Sequence, residues 1–496
     1  MKVYIHFDES AVVAELVRKL NAKGIETIAG RGQPAGAVDA WINWSREPLA
    51  PLPGAQRSYN ATPWLTDPDD DLRIEQVLQL NRLRALIHDG PRRWPIAVWP
   101  KEYQVYIWDT RVVAVQRKVL TMQQQRDLVK GTHLTSSFTW VEHLSNWEQE
   151  RLVPLALRAL HCLGLDFGRV HLAVNRSSGP VILEIDRVPV LRKRLAQAFA
   201  DTISEALATT GSKEFTIGSD PEFMLALLPG RKMVPASRFF PRVGTVGCDN
   251  RRAFGASDDL PLAEIRPQPV SSAEAAVEEI RKALQEANQL CPFRNIVWNA
   301  GSEPFPGYPV GGHIHWGGLP LTAQHLRAFD QYLALPLFFL EKSESARRRR
   351  NFYGMLGDFR VKSHGFEYRT PGSWLSTPQL TWVALALAQA VALHAKQLTR
   401  WDFVDPAFQE AFYDGDRAKL LPSLKTSLAE LYAVEPTARM RKLVELIWYM
   451  QERGMVADEA IDIRQAWGLT AGHQRYRHVP RLRNQFSWVP NHVMRL

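Results

Sequence analysis

Four short motifs between Asp220 and Arg369 carry residue types that can do chemistry. They read Asp220-Pro221-Glu222, Glu264-Ile265-Arg266, His313-Ile314-His315 and Glu367-Tyr368-Arg369. Each sets two polar or charged side chains two residues apart within strand-like sequence. In a strand, residues i and i+2 point to one face. Four such strands in one sheet would aim carboxylates, imidazoles and guanidiniums into one cleft. Carboxylates and a histidine bind divalent cations, and arginines bind phosphate or carboxylate groups. This is the equipment of a nucleotide-dependent phosphoryl-transfer enzyme. Taken singly, each motif also fits a turn, a packing contact or a cross-strand ion pair.

The surrounding pattern predicts the elements that hold these residues. A buried-strand run over 3–7, helical spacing over 11–22 and a strand over 39–44 make a β-α-β opening. A long loop is expected over 48–71 and a helix over 72–88, ending at Gly90-Pro91. Alternating runs over 103–107 and 112–119 flank Asp109-Thr110 as a hairpin. A helix over 152–163 precedes a second hairpin, 170–175 with 181–185, turning at Ser177-Ser178-Gly179-Pro180. Helix 195–210 leads to a polar break at Gly211-Ser212-Lys213, the expected domain boundary. Strands dominate from Phe215 to Arg266. A serine-capped helix spans 271–289, and the chain after Gly372 is mostly helical, including 428–453.

A length of 496 residues calls for two or three domains, here 1–210, 213–400 and 401–496. Hydrophobic content of 45% and charged content of 23% are those of a soluble globular protein. The formal charge of +9 favours an anionic ligand or partner. Cys162, Cys248 and Cys291 are far apart and form no CxxC pair, which fits a reducing cytoplasm and argues against a disulfide framework or a zinc site. Two acids within the first nine residues exclude a signal peptide reading. The apolar stretch 380–395 is short and interrupted by Gln389 and His394, so it is a buried helix rather than a membrane span. From Gly472 the chain carries Arg475, Arg477, Arg481, Arg483 and Arg495, a basic tail.

The second-domain motifs resemble those of a known family. GSDPEFML (218–225) is similar to the Glu-x-Glu first strand of the glutamine synthetase and glutamate–cysteine ligase superfamily. GGHIHWGG (311–318) resembles its Gly-x-His-x-His strand, and FEYRTPGSWL (366–375) its Glu-x-Arg-x-Pro strand. The phage-type carboxylate–amine ligase (amidoligase) branch also shows an arginine-rich, YG-containing segment before the last motif, here 347–360. The resemblance covers residues 213–382. It implies that Asp220, Glu222 and Glu264 hold metal ions bridging ATP phosphates, with Asp220 standing where the family more often has Glu. It further implies that His313 ligates metal, His315 contacts a phosphate and Glu367 holds a second metal. Arg369 would clamp the acyl phosphate or substrate carboxylate. Arg266, Arg347, Arg350 and Arg360 would stabilise the transferred phosphoryl group.

The first domain resembles a reduced ATP-grasp unit. Residues 102–119 (EYQVYIWDTRVVAVQRKV) are similar to the Glu-Tyr-Arg-Val strand pair of that fold, with Gln104 in place of the arginine. Residues 164–186 resemble its last hairpin. There the family places Asp where this chain has His171, and Glu-x-Asn where it has Glu184-Ile185-Asp186. Glu184 and Asp186 share a strand face and could bind magnesium. The lysine-bearing subdomain expected ahead of this region is confined to 61–101, with Lys101 its one lysine.

The fold class expected is therefore α+β: an ATP-grasp-like α+β domain, then a glutamine-synthetase-like antiparallel sheet domain with a helical C-terminal part. The implied activity is an ATP- and Mg2+- (or Mn2+-) dependent ligase that forms an amide or isopeptide bond through an acyl phosphate. Its substrates would be a carboxylate and an amine from amino acids, a peptide or a protein tail. ATP is needed because a carboxylate does not react usefully with an amine at neutral pH, and both anions need cations to meet. The alternatives are a phosphotransferase on the same scaffold and a basic nucleic-acid- or virion-associated protein with a decayed site. No interleaved aromatic and basic module supports nucleic-acid binding. A homo-oligomer is compatible with the sequence. Glu367→Gln or His313→Ala should abolish ATP turnover and change stability by only about 1–2 kcal/mol, as expected of cleft residues.

Overall fold

A parallel sheet opens the chain, as the β-α-β pattern predicts. In the computed structural model β1 (Lys2–Phe7) lies between β2 (Glu26–Gly30) and β3 (Ala40–Trp44), with β4 (Arg57–Tyr59) beyond β3. All three pairings are parallel. Helix Ser10–Ala22 makes the first crossover and buries Val13, Leu16 and Leu20, which recur at helical spacing. The structure describes all residues except 9, 33, 35, 48, 50–54, 56, 62–70, 89–100, 123–136, 176–178, 210–213, 254–257 and 477–496. The Gly90-Pro91 stop, the 211–213 boundary and most of the 48–71 loop, the 177–180 turn and the basic tail lie outside the described residues.

The next sheet is antiparallel and has the order β7-β6-β5-β8-β9. It contains β5 (Lys101–Trp108), β6 (Arg111–Val119), β7 (Thr139–Trp140), β8 (Phe167–Asn175) and β9 (Gly179–Asp186). Both expected hairpins form. Alternate residues of β5 feed two apolar clusters: Val105 and Ile107 join Leu157, Leu160 and Val170, while Tyr106 and Trp108 join Trp44, Phe167 and Phe199. The helix expected over 72–88 is Asp71–Leu80 only. Arg82 takes a left-handed φ of 60°, and residues 84–86 then pair with Ile182. The Glu75 carboxylate accepts the amides of Ile87 and His88 at 2.8 Å each, holding this extended segment in place.

Two further sheets follow. One joins β10 (Thr216–Ser219), β16 (Ile314–Gly317), β18 (Gly365–Tyr368) and β17 (Phe359–Lys362) in that order. The other orders β12 (Lys232–Val234), β11 (Glu222–Leu227), β14 (Leu262–Ile265) and β13 (Val246–Cys248), with β15 (Ile296–Asn299) also paired to β11. The four motifs are therefore divided between two sheets and do not share one. Helix Ala273–Leu290 begins as expected, the Ser272 hydroxyl accepting the Ala275 amide. The helical stretch expected over 428–453 is two helices, Arg417–Val434 and Ala438–Glu452. Pro436 cannot continue the first, and Thr437 caps the second. One core runs from Ile217 and Phe223 through the buried helix Pro378–His394 to Leu424, Leu443 and Trp467. No helix among the described residues is long and apolar enough to cross a membrane.

The two halves meet through buried polar groups. Asn81 Nδ2 donates to Gln409 Oε1 at 2.5 Å, and Tyr413 Oη donates to Asn81 Oδ1 at 2.6 Å. Gln409 Nε2 in turn donates to the carbonyl of Cys162 at 2.8 Å. Asp109, in the β5–β6 turn, accepts the Ala323 amide at 2.5 Å, and Thr110 donates to the Leu321 carbonyl at 2.8 Å. Asp166 pairs with Arg327.

Candidate active site

The segment 219–222 carries the chain from one sheet to the other. Ser219 ends β10 and Glu222 begins β11, so Asp220 sits at the crossing and not inside a strand. Backbone bonds fasten the crossing on both sides: Glu222 N to Gly311 O at 2.8 Å, Asp220 N to His313 O at 3.4 Å and Ile265 N to Pro221 O at 3.3 Å. Across the first sheet Gly218, His315, Glu367 and Arg360 stand in register on four neighbouring strands. Across the second, Glu222 faces Glu264, which faces Gly247. The two rows meet at the crossing that carries Asp220.

His313 and His315 both reach Asp220, at 3.1 Å to Oδ1 and 3.0 Å to Oδ2. His313 Nδ1 is also 3.4 Å from Glu367 Oε1. One donor atom each of Asp220, His313 and Glu367 lies within 4.8 Å of the other two, the one such group of three among the described residues. Neither Glu367 oxygen nor His313 Nε2 has a hydrogen-bond partner of good geometry, although all are buried. Hard oxygen donors and one imidazole within reach of one another fit a divalent cation. Gly311 is required beside them, because a Cβ there would overlap the His313 ring. Glu222 Oε2 accepts the Gly311 amide at 2.7 Å and lies 3.4 Å from Tyr353 Oη.

Crowded acids and bases set one another's charge. Burial opposes ionisation of Asp220, but hydrogen bonds and charge from His313 and His315 outweigh it and hold its carboxyl well below the usual range. Burial also works against a charged His313, yet Asp220 and Glu222 raise its basicity. Glu367 is buried too; the charges of His313, Arg360 and Arg369 hold it low. Glu264 goes the other way. Burial, then repulsion from Asp220, push its carboxyl up to about 9. Burial likewise raises Glu222. The crowding thus favours a charged Asp220 and Glu367 beside a Glu264 and a Glu222 whose ionisation is opposed.

The cations divide into those at the cluster and those elsewhere. Arg369 Nε stands 3.0 Å from Glu367 Oε1, with Arg360 3.5 Å and Lys362 2.9 Å from Oε2. Asp358 steadies Arg369 from behind, 3.7 Å away. Arg266 pairs with Glu264 and donates to the Cys248 carbonyl at 3.0 Å; Gly247 leaves the room it occupies. The arginine run is not brought to the cluster as a run. Arg347 is exposed on helix Ser343–Arg349. Arg350 is buried against Phe412 and pairs with Glu341. Their neighbour Arg349 fastens the site instead, donating to the carbonyls of Val310, Arg369, Thr370 and Pro371 at 2.7–3.1 Å. Arg349, Tyr353 and Asp358 lie within the arginine-rich, YG-containing segment 347–360, but the resemblance gives them no role of their own there. Lys362 lies outside that segment and carries only its i+2 spacing from Arg360, hence the same strand face.

On the sheet that holds β5, β8 and β9, Glu184 and Asp186 both face Arg169, at 2.5 and 3.2 Å. His171 lies between Glu102, at 3.0 Å, and Glu184, at 3.7 Å. Burial opposes protonation of His171, but these glutamates raise its basicity. The histidine and Arg169 thus meet the acids that the sequence assigns to magnesium.

A model of the family described as phage phiEco32-like COOH.NH2 ligase-type 2 matches residues 217–469, just over half of the chain. No curated protein matches. Among solved structures, the macrocyclase MdnC bound with precursor peptide MdnA from Microcystis aeruginosa MRC is similar at 10% identity and a TM-score of 0.27, covering 42% of this chain and all of that one. The ATP-grasp ligase PsnB complexed with minimal precursor, Mg and ADP matches at 13% identity and a TM-score of 0.28, over 42% of this chain and 97% of that one. A Chryseobacterium gregarium RiPP-associated ATP-grasp ligase, in complex with ADP and a leader and core peptide, matches at 9% identity and a TM-score of 0.26, over 41% and 97%.

Proposed function

The chain belongs to the phage phiEco32-like COOH.NH2 ligase-type 2 family, and we propose that it joins a carboxylate to an amine at the cleft between its two C-terminal sheets. The observation that carries this reading is the Asp220–His313–Glu367 group, with three cationic side chains facing its innermost carboxylate. Asp220, His313 and Glu367 would hold one divalent ion, Mg2+ or Mn2+; Glu222 and Glu264, on the facing wall, would help hold a second. Such ions would neutralise the phosphates of ATP and let a second anion approach.

The chain's own residues do the rest. Arg369, Arg360 and Lys362 bind the oxygens of the transferred phosphoryl group and of the substrate carboxylate. Arg369 is best placed to orient them, because Asp358 and the bond from its amide to the Asp358 carbonyl, at 2.8 Å, fix both ends of the residue. His315, hydrogen-bond distance from His364 at 3.2 Å, borders the phosphate side. The carboxylate takes the γ-phosphoryl of ATP and ADP leaves; the uncharged amine displaces phosphate from the acyl phosphate and forms the amide. An amino acid, peptide or protein tail supplies the reacting groups. The first domain docks the substrate: Arg169 and His171 already counter Glu184 and Asp186, which supports docking over a second ATP turnover there. Arg347 and Arg350 have no part in this reading.

The test is ADP formation by the purified protein with Mg2+, ATP and a mixed pool of amino acids and peptides, beside a Glu367→Gln control. ADP that requires the pool and is lost in the control is the expected result, and mass spectrometry of the pool names the product. ADP formed with an amine-free or guanidino pool would replace the ligase reading with a phosphotransferase.

A further inference from the structure

The first domain reaches the back of the proposed cation site through one histidine. His161 closes helix Val153–Cys162, and its Nε2 lies 2.7 Å from Oδ2 of Asp330 in the second domain. Both residues are buried, Asp330 completely. The other oxygen, Oδ1, accepts the Tyr368 hydroxyl at 2.7 Å and the Gly357 amide at 2.8 Å. His161 Nδ1 has no partner, so the proton is on Nε2 and points at the carboxylate. The ring lies against Gly357, where φ is +64° and a Cβ would overlap the imidazole.

These two second-domain contacts flank the residues that matter. Tyr368 stands between Glu367 and Arg369, with its side chain on the opposite face of β18. Gly357 precedes Asp358, whose carboxylate faces Arg369 and whose carbonyl accepts the Arg369 amide. Asp330 therefore ties together both segments that place Glu367 and Arg369, and His161 holds Asp330.

We propose that His161 is a positioning residue for the Glu367–Arg369 strand, so that the first domain completes the ligase site as well as docking substrate. The idea rests on the cation-site reading above. Buried hydrogen-bond partners behind metal ligands commonly set metal affinity without touching the ion.

The test compares full-length His161→Gln with His161→Met. The two side chains are similar in length, and only glutamine keeps a donor for Asp330. Mn2+ alone is titrated into each protein, and amide exchange is followed across residues 357–369. The glutamine variant should match wild type in both readouts. The methionine variant should bind Mn2+ about fivefold to tenfold more weakly and exchange β18 amides faster. Should the methionine variant not fold, Tyr368→Phe removes the next link of the same chain and carries the same expectation. Equal Mn2+ affinity and equal exchange in the Gln and donor-free variants overturn the proposal. Glu367→Gln separates the two ideas: if it binds Mn2+ like wild type, the cation-site reading fails, while exchange still decides whether His161 orders the strand.

Discussion

Glu367 is 1% exposed and faces three cations, one of them the half-exposed Arg360. Beyond the ligand role proposed for it, Glu367 keeps Arg369, Arg360 and Lys362 from repelling one another. Glu367→Gln should therefore cost about 3–5 kcal/mol of stability in the metal-free protein, read by denaturant unfolding, and not the roughly 1–2 kcal/mol expected of an open cleft. Glu264 supplies a pH dependence. Its folded carboxyl keeps a proton to about 9, against 4.5 for the free residue. The folded state thus binds more protons in that window, and stability falls as pH rises from about 4.5 to about 9. Glu264→Gln should flatten this slope in melting curves taken from pH 5 to 9. Divalent cation binding should release a proton from Glu264, so Mn2+ affinity should rise with pH toward 9; calorimetry in buffers of different ionisation heat would detect the proton. A pH-independent affinity would remove Glu264 from the site.

The elements place these residues by means that a sequence shows only in part. The i, i+2 spacing made His313/His315 and Glu367/Arg369 legible, because a strand has a fixed period. The sharing of the motifs between two sheets was not legible, since it depends on which distant strands pair and on Asp220 lying at a crossing. Strand β2 escaped because its residues Glu26 and Ile28 are exposed and no apolar run marks it. The arginine run misled in a different way. Four identical residues carry no phase, and adjacent helix positions point about 100° apart, so Arg349 could fasten four carbonyls while Arg347 met solvent. Tyr353 and Asp358 sit in irregular chain, where no period exists to read. Glycine is the element-scale lever that can be tested. Gly311→Ala should displace His313 and weaken Mn2+ binding more than tenfold, with the β-sheet circular dichroism unchanged. Unaltered binding would mean that the ring is not where the cation site needs it.

At the scale of the whole molecule the buried contacts between the halves lead us to expect that they fold as one unit. Asn81, Gln409 and Tyr413 satisfy one another across the junction, and Asp166 pairs with Arg327. Separating the halves would leave each of these groups to find water or stay unpaired, at about 1–3 kcal/mol apiece where burial persists. Cutting the chain between residues 208 and 214 should thus give fragments that copurify when coexpressed and that precipitate when made alone. A first fragment that is soluble, monomeric and melts cooperatively by itself would contradict this.

The bridge formed by Asn81, Gln409 and Tyr413 bears on how such a chain can be inherited. Asn81 stands more than 300 positions from Gln409 and Tyr413 in sequence. A recombination that exchanged one half for that of a distant cousin would bring in a surface lacking the matching amide or phenol. Each half can drift only as fast as its counterpart follows. The two sequences are expected to share one genealogy, and a hybrid gene would have to carry compensating changes at these three sites to persist.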